Sequence, residues 1–215
     1  MRIGIVGGHG KIALQLTRIL CRRGDQVVSV FRNPAHAEEL AELGAVPQVL
    51  DVERASAEDL GAAVRGCDAV VFAAGAGPNS GPERKETMDY GGAVKLIEAA
   101  KAEDIPHYVM VSSRGANANA EGEGFGVYLR AKGRADQELQ LSGVPYSIIR
   151  PGGLTDEPGT GKVSLSETAE GETVPREDVA AVIAEILALG EALNLVLELY
   201  EGQTPIPEAV RAVRA

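Results

Sequence analysis

The stretch RIGIVGGHGKIA, residues 2–13, decides how the rest of the chain is read. RIGIV (2–6) is a short apolar run of strand type, and Ile12, Leu16, Ile19 and Leu20 then recur at helical spacing, with Gly24 just past the end. Between strand and helix, Gly7, Gly10 and Ala13 keep the spacing GxxGxxA. A tight turn there needs a residue without a Cβ, a second glycine lets backbone approach a pyrophosphate, and a small third residue lets helix pack on strand. The helix N-terminus adds oriented N–H groups for a phosphate. Gly7, Gly8, His9, Gly10, Lys11 and Ile12 are therefore the expected dinucleotide contacts on this loop, with no separate role for the His9 imidazole.

Outward from that loop the pattern repeats: an apolar run, a turn, an amphipathic helix. Further strands are expected at 26–31, 46–52, 68–74, 107–113 and 145–150, with weaker ones at 162–165 and 195–199. Several are nearly continuous apolar runs, as strands buried on both faces of a parallel sheet should be. Helices are expected at 35–43, 57–65, 84–103, 128–142, 176–190 and 206–213. This alternation predicts an α/β fold, a single-domain doubly wound parallel sheet (Rossmann fold) with helices on both faces. The domain is expected to span 1–215, with a small substrate-pocket portion from about 151 to 215. Three Gly-rich segments, 75–84, 117–126 and 151–161, follow strand ends on the edge where open α/β sheets bind ligands.

Composition narrows the function classes. The chain has 215 residues, a formal net charge of −10, 45% hydrophobic and 24% charged residues, and no long Lys/Arg run. That charge argues against nucleic-acid partners, which call for a cationic surface. Two distant cysteines, Cys21 and Cys67, without His-rich neighbours give no basis for a disulfide framework or a metal site and suit a reducing cytoplasm. No signal peptide or membrane span is expected. The expected partner is a small-molecule substrate, with the chain as monomer or homodimer.

Arg32 ends the second strand, and no acidic residue lies between Gln26 and Ala37. A carboxylate there would suit the ribose 2′-OH of NAD, whereas an arginine suits the 2′-phosphate of NADP. NADP is the expected cofactor, with NAD as the alternative; Arg32 could otherwise be a solvated strand end. Asp51 and Val52 end the third strand where an adenine would lie, although Asp51 could instead cap the turn. Ala73, Ala74 and Gly75 follow the fourth strand, small enough to pass under ribose and pyrophosphate.

With VGGHGKIA, FRNP, VVFAAG, HYVMVSSRGA, YLRAKGRADQEL and YSIIRPGGLTDEPGTG in view, the chain resembles the short-chain dehydrogenase/reductase superfamily over essentially its whole length. It looks most like the compact, atypical NAD(P)H-binding members related to NmrA-like proteins and flavin reductases. The resemblance implies an NAD(P)-dependent oxidoreductase with Ser113, Tyr128 and Lys132 as the catalytic set. The tyrosine would exchange a proton with a carbonyl oxygen, the lysine would tune the phenol and hold the nicotinamide ribose, and the serine would position the oxygen. Ser112 competes with Ser113 for that place. Pro151, Gly152 and Gly153 would pass near the nicotinamide, although Pro-Gly-Gly is also ordinary turn chemistry. The sequence departs from the classical pattern in TMDYGG, where Asp89 stands and no Asn completes a proton relay. An NADPH-preferring enzyme acting on a small carbonyl, quinone or flavin-like acceptor is the expected function. A non-catalytic redox sensor and an epimerase or dehydratase are the alternatives.

Overall fold

The computed structural model describes residues 1–77 and 80–214, so Pro78 and Asn79 of the 75–84 loop lie outside the described residues. The strands are β1 (Arg2–Val6), β2 (Gln26–Phe31), β3 (Val46–Val49), β4 (Ala69–Phe72), β5 (Tyr108–Val111), β6 (Tyr146–Pro151), β7 (Gly153–Thr155), β8 (Lys162–Ser166), β9 (Thr173–Pro175), β10 (Leu195–Glu201) and β11 (Thr204–Pro205). Because side chains alternate across a strand, a run of consecutive apolar residues fills both faces. Ile3 and Ile5, Ala69 and Val71, and Val109 and Val111 enter one core; Val6, Val70, Phe72, Tyr108 and Met110 enter the other.

Among the described residues the main sheet has nine strands in the order β11-β8-β10-β6-β5-β4-β1-β2-β3, parallel from β3 through β10 and antiparallel at β8 and β11. The helices are α1 (Lys11–Arg23), α2 (Ala37–Glu42), α3 (Ala57–Val64), α4 (Pro82–Arg84), α5 (Gly91–Ala102), α6 (Phe125–Leu141), α7 (Arg176–Ala188) and α8 (Ile206–Ala212). Apolar faces of α1, α7 and α8 cover one side of the sheet, and those of α3, α5 and α6 cover the other. This is the doubly wound fold expected from the alternating pattern. Strand order reverses beside β1, with β2 on one flank and β4 on the other, which opens a crevice at the carboxyl edge.

Four local departures have physical reasons. The third strand stops at Val49 because Asp51 caps a turn, its Oδ1 accepting the Glu53 amide at 3.1 Å. The helix expected over 84–103 is broken by a π-helical turn, Lys85–Tyr90, between α4 and α5. That wider turn carries Lys85, Met88 and Asp89, all three of them buried. Helix α6 begins at Phe125, three residues before the expected start. Finally, β7 and β9 pair with each other in segments that read as loop, their short runs ordered by distant partners.

Candidate active site

The glycine loop is built by close approach. Gly7 has φ +86°, and a Cβ on it would lie 2.6 Å from Ala74 backbone. A Cβ on Gly8 would lie 1.9 Å from Ser29 Oγ. Both amides donate to Val30 carbonyl, at 3.0 and 2.9 Å, which welds the loop to β2. Gly10 caps α1 without a side-chain hydrogen bond, and the first turn carries no acidic residue. The orphan amides of the helix start are thereby left for an anion. Such a cradle fits the pyrophosphate of a dinucleotide.

Beyond the loop, a groove of about 320 Å³ runs along the ends of β2 and β3, past Arg32, Asp51 and Val52. Arg32 is exposed and faces Glu53 at 3.6 Å. Glu53 also accepts from Arg84 (3.0 Å) and Thr87 (2.7 Å). Burial works to raise the pKa of this carboxyl, but those hydrogen bonds and the Arg84 and Arg32 charges hold it below the ordinary value. His9 Nε2 lies 2.7 Å from Glu39 Oε2, and its ring stacks on His36 at 3.4 Å between centroids. His36 is thus a wall of this groove together with Asn33 and Arg84.

Ala73, Ala74 and Gly75 form the boundary shared with a second, larger chamber of about 990 Å³. Tyr128 and Lys132 line it, as do Ser112, Asp89 and Lys85. Apolar walls come from Ile12, Val111, Phe125 and Leu154. Lys132 is buried; its ammonium donates to Val111 carbonyl (3.1 Å) and pairs with Asp89 at 3.5 Å. Asp89 Oδ2 also accepts the Ala76 amide (3.2 Å), so this aspartate ties the fourth-strand loop, the π turn and α6 together. Behind them Asp136 accepts from Ser112 Oγ (2.8 Å) and Arg150 (3.0 Å). Burial raises the Asp136 pKa, opposed by Arg150, Ser112 and Lys132.

The structure brings Gly7, His9, Gly10, Arg32, Asp51 and Val52 to the groove, and Ile12, Ser112, Tyr128 and Lys132 to the chamber, with Ala73–Gly75 between. Other expected residues fall elsewhere. Ser113 Oγ donates to Arg114 carbonyl (3.2 Å) and does not line the chamber, whereas Ser112 does, because successive residues at a strand end point to opposite sides. Lys11 pairs with Asp156 (2.5 Å), which Arg176 also holds (2.6 Å), outside both cavities. Pro151, Gly152 and Gly153 do not line either cavity. Gly152 is small because the Tyr200 ring lies on it, 2.6 Å from where a Cβ would be. Leu154 is the residue of that segment that reaches the chamber. Sequence reasoning missed Lys85 and Asp136; both are polar residues at buried helical positions, where hydrophobic periodicity gives no signal.

A glycine loop between β1 and α1, and a groove opening into a chamber at the carboxyl edge of a parallel sheet, define a Rossmann-type nucleotide-binding protein. Residues 7–189 match the family described as NAD(P)H-binding, and the chain belongs to that family, within the atypical short-chain dehydrogenases/reductases. It is 35% identical over 212 residues to YhfK of Bacillus subtilis, described as an uncharacterized sugar epimerase, covering 98% of this chain and 99% of that one. A Bacillus halodurans structure assigned to the NAD-dependent epimerases/dehydratases superposes with a TM-score of 0.90 at 36% identity, over 99% of each chain. ChuY, an anaerobillin reductase of Escherichia coli O157:H7, superposes with a TM-score of 0.79 at 28% identity, over 94% of this chain and 97% of that one.

Proposed function

We propose that this protein is an NADPH-preferring reductase that passes a hydride to a small, flat carbonyl, quinone or flavin-like acceptor. The observation that carries this reading is the 990 Å³ chamber, walled by Tyr128, Lys132 and apolar side chains and joined to the nucleotide groove at Ala73–Gly75. A nicotinamide bound there would supply the hydride. Tyr128 would donate its phenolic proton to the acceptor oxygen, giving an alcohol or hydroquinone, and recover a proton from solvent. Its hydroxyl makes no hydrogen bond among the described residues, so the proton has no internal acceptor to leave. Lys132 donates to Val111 carbonyl and is ion-paired with Asp89 at 3.5 Å, which fixes it at the chamber floor with donors left for a ribose hydroxyl. Phe125, 68% exposed, and Tyr128, with ring centroids 5.6 Å apart, offer a flat acceptor a stacking surface. Arg32 and Arg84 beside the ribose end of the groove support NADPH over NADH.

A second reading, a non-catalytic NAD(P) sensor, draws support from the Asp89–Lys132 pair. It stands where the classical relay has an asparagine and already engages the lysine. A sugar epimerase draws support from the description of YhfK, but the apolar chamber walls offer few hydrogen bonds to sugar hydroxyls. Calorimetric titration of NADPH and NADH, followed by cofactor absorbance with quinones, flavins and small aldehydes, separates these. Tighter NADPH binding with turnover of any acceptor is the expected result. Tight binding without turnover would favour the sensor, and no binding of either nucleotide would sink both.

A further inference from the structure

The chamber holds two buried lysines, and among the described residues one of them is paired and the other is not. Lys132 has Asp89 at 3.5 Å. Lys85, on the π-helical turn, is 8% exposed, yet its ammonium forms no ion pair among the described residues. One hydrogen bond runs to Gly77 carbonyl (2.5 Å), and the ammonium lies 5.2 Å from the centroid of the Tyr128 ring. A lysine carries three donors, and burying its charge is costly unless an anion compensates it. The remaining carboxylates of the chamber do not meet that need: Asp89 is taken by Lys132, and Glu123 is exposed on the loop before α6. Ser80 Oγ donates to the same Gly77 carbonyl (2.9 Å), so a second polar hydrogen sits beside the ammonium.

We infer that Lys85 is an anion subsite, and that the acceptor is a flat, apolar molecule bearing a carboxylate. The carboxylate takes the free donors of Lys85 while the flat body lies against Tyr128 and Phe125. This places the anion beside the tyrosine and leaves the acceptor's carbonyl to its hydroxyl. Lys85 lines the large chamber and not the nucleotide groove, which assigns the anion to the substrate and not to the cofactor pyrophosphate. The anion subsite rests on the larger chamber being the substrate site; that its ligand is the hydride acceptor rests on the reductase reading.

The test is calorimetric titration of 2-naphthoate and neutral 2-naphthylmethanol into the full chain, alone and with NADPH. Wild type is expected to favour the naphthoate by about tenfold or more, the usual worth of a charge-assisted hydrogen bond. Lys85→Met and Lys85→Gln should erase the preference while leaving NADPH affinity unchanged, and Lys85→Arg should retain it. Equal affinities in wild type, naphthoate binding too weak to detect at millimolar concentration, or a preference that survives in Lys85→Met would overturn the subsite. So would a tenfold loss of NADPH affinity in that variant, which would make the ammonium a cofactor ligand. A naphthoate preference in a protein that turns over no acceptor would sink the reductase reading and leave the subsite standing.

Discussion

A phenol that is to give up its proton in a reaction must be held where the reacting oxygen arrives, and little else should compete for that proton. Tyr128 meets both conditions on the first turn of α6, with its ring on the chamber wall and the Lys85 ammonium over it. Tyr128→Phe is expected to keep NADPH affinity and lose turnover by about a hundredfold, the usual share of general-acid catalysis. Steady-state rates beside calorimetry check this, and unchanged turnover would leave Tyr128 a wall residue. Arg32 tests cofactor choice separately. It is exposed and faces Glu53 at 3.6 Å, within reach of a phosphate at the end of β2. Arg32→Glu should weaken NADPH by about tenfold or more while sparing NADH, since it removes a charge-assisted partner of the 2′-phosphate. Should NADPH preference persist in that variant, another group selects the phosphate. In the sequence Arg32 stood at the end of an apolar strand and Tyr128 was singled out by the family resemblance; Arg32 lines the groove and Tyr128 the chamber. Ser113 was not placed correctly, because a chain of side chains alternating about a strand end gives two adjacent serines equal standing until the strand's twist is known.

At the scale of elements, the π-helical turn and helix α7 show how local chemistry orders distant backbone. Asp178 lies in the first turn of α7 and is 2% exposed. A carboxylate there suits the helix N-terminus. Its other role is tertiary: it accepts from the Thr160 amide (2.9 Å), Thr160 Oγ1 (3.1 Å) and the Gly161 amide (2.9 Å), pinning the loop that leads into β8. Asp178→Ala should cost about 2–4 kcal/mol, because three donors lose a charged acceptor, with Asp178→Asn falling between. Urea unfolding gives the measurement; a loss below about 0.5 kcal/mol would show the loop holds without it. The π turn has no comparable sequence signature. Gly91 and Gly92 follow it, and a Cβ on Gly92 would lie 3.1 Å from Val52. Lys85 and Asp89, both on this turn, line the chamber.

Across the whole molecule, stability should depend on pH through a buried histidine far from the chamber. His107 is 2% exposed at the start of β5 and meets Ser147 Oγ of β6 at 2.9 Å, an oxygen that also accepts the Leu193 amide. Burial lowers its pKa from 6.5 to about 4. Above pH 6.5 the folded and unfolded chains both carry it neutral. Between pH 6.5 and 4 only the unfolded chain takes up the proton, so stability falls with pH and roughly 3 kcal/mol is lost by pH 4. Urea midpoints from pH 7.5 to 4.5 should show this slope, and His107→Gln should flatten it; equal slopes would assign the acid loss to other groups. The sequence by itself determined the doubly wound fold and the phosphate cradle, because apolar runs, helical periodicity and GxxGxxA spacing are local patterns that each imply one geometry. It also placed Tyr128 and Lys132 on one helix. Only the tertiary structure decided that Asp89 pairs with Lys132, that Ser112 faces the chamber in place of Ser113, and that Lys85 stands buried without a counter-ion among the described residues. Those facts depend on which polar side chains the packing of distant elements removes from water, and no spacing along the chain records that.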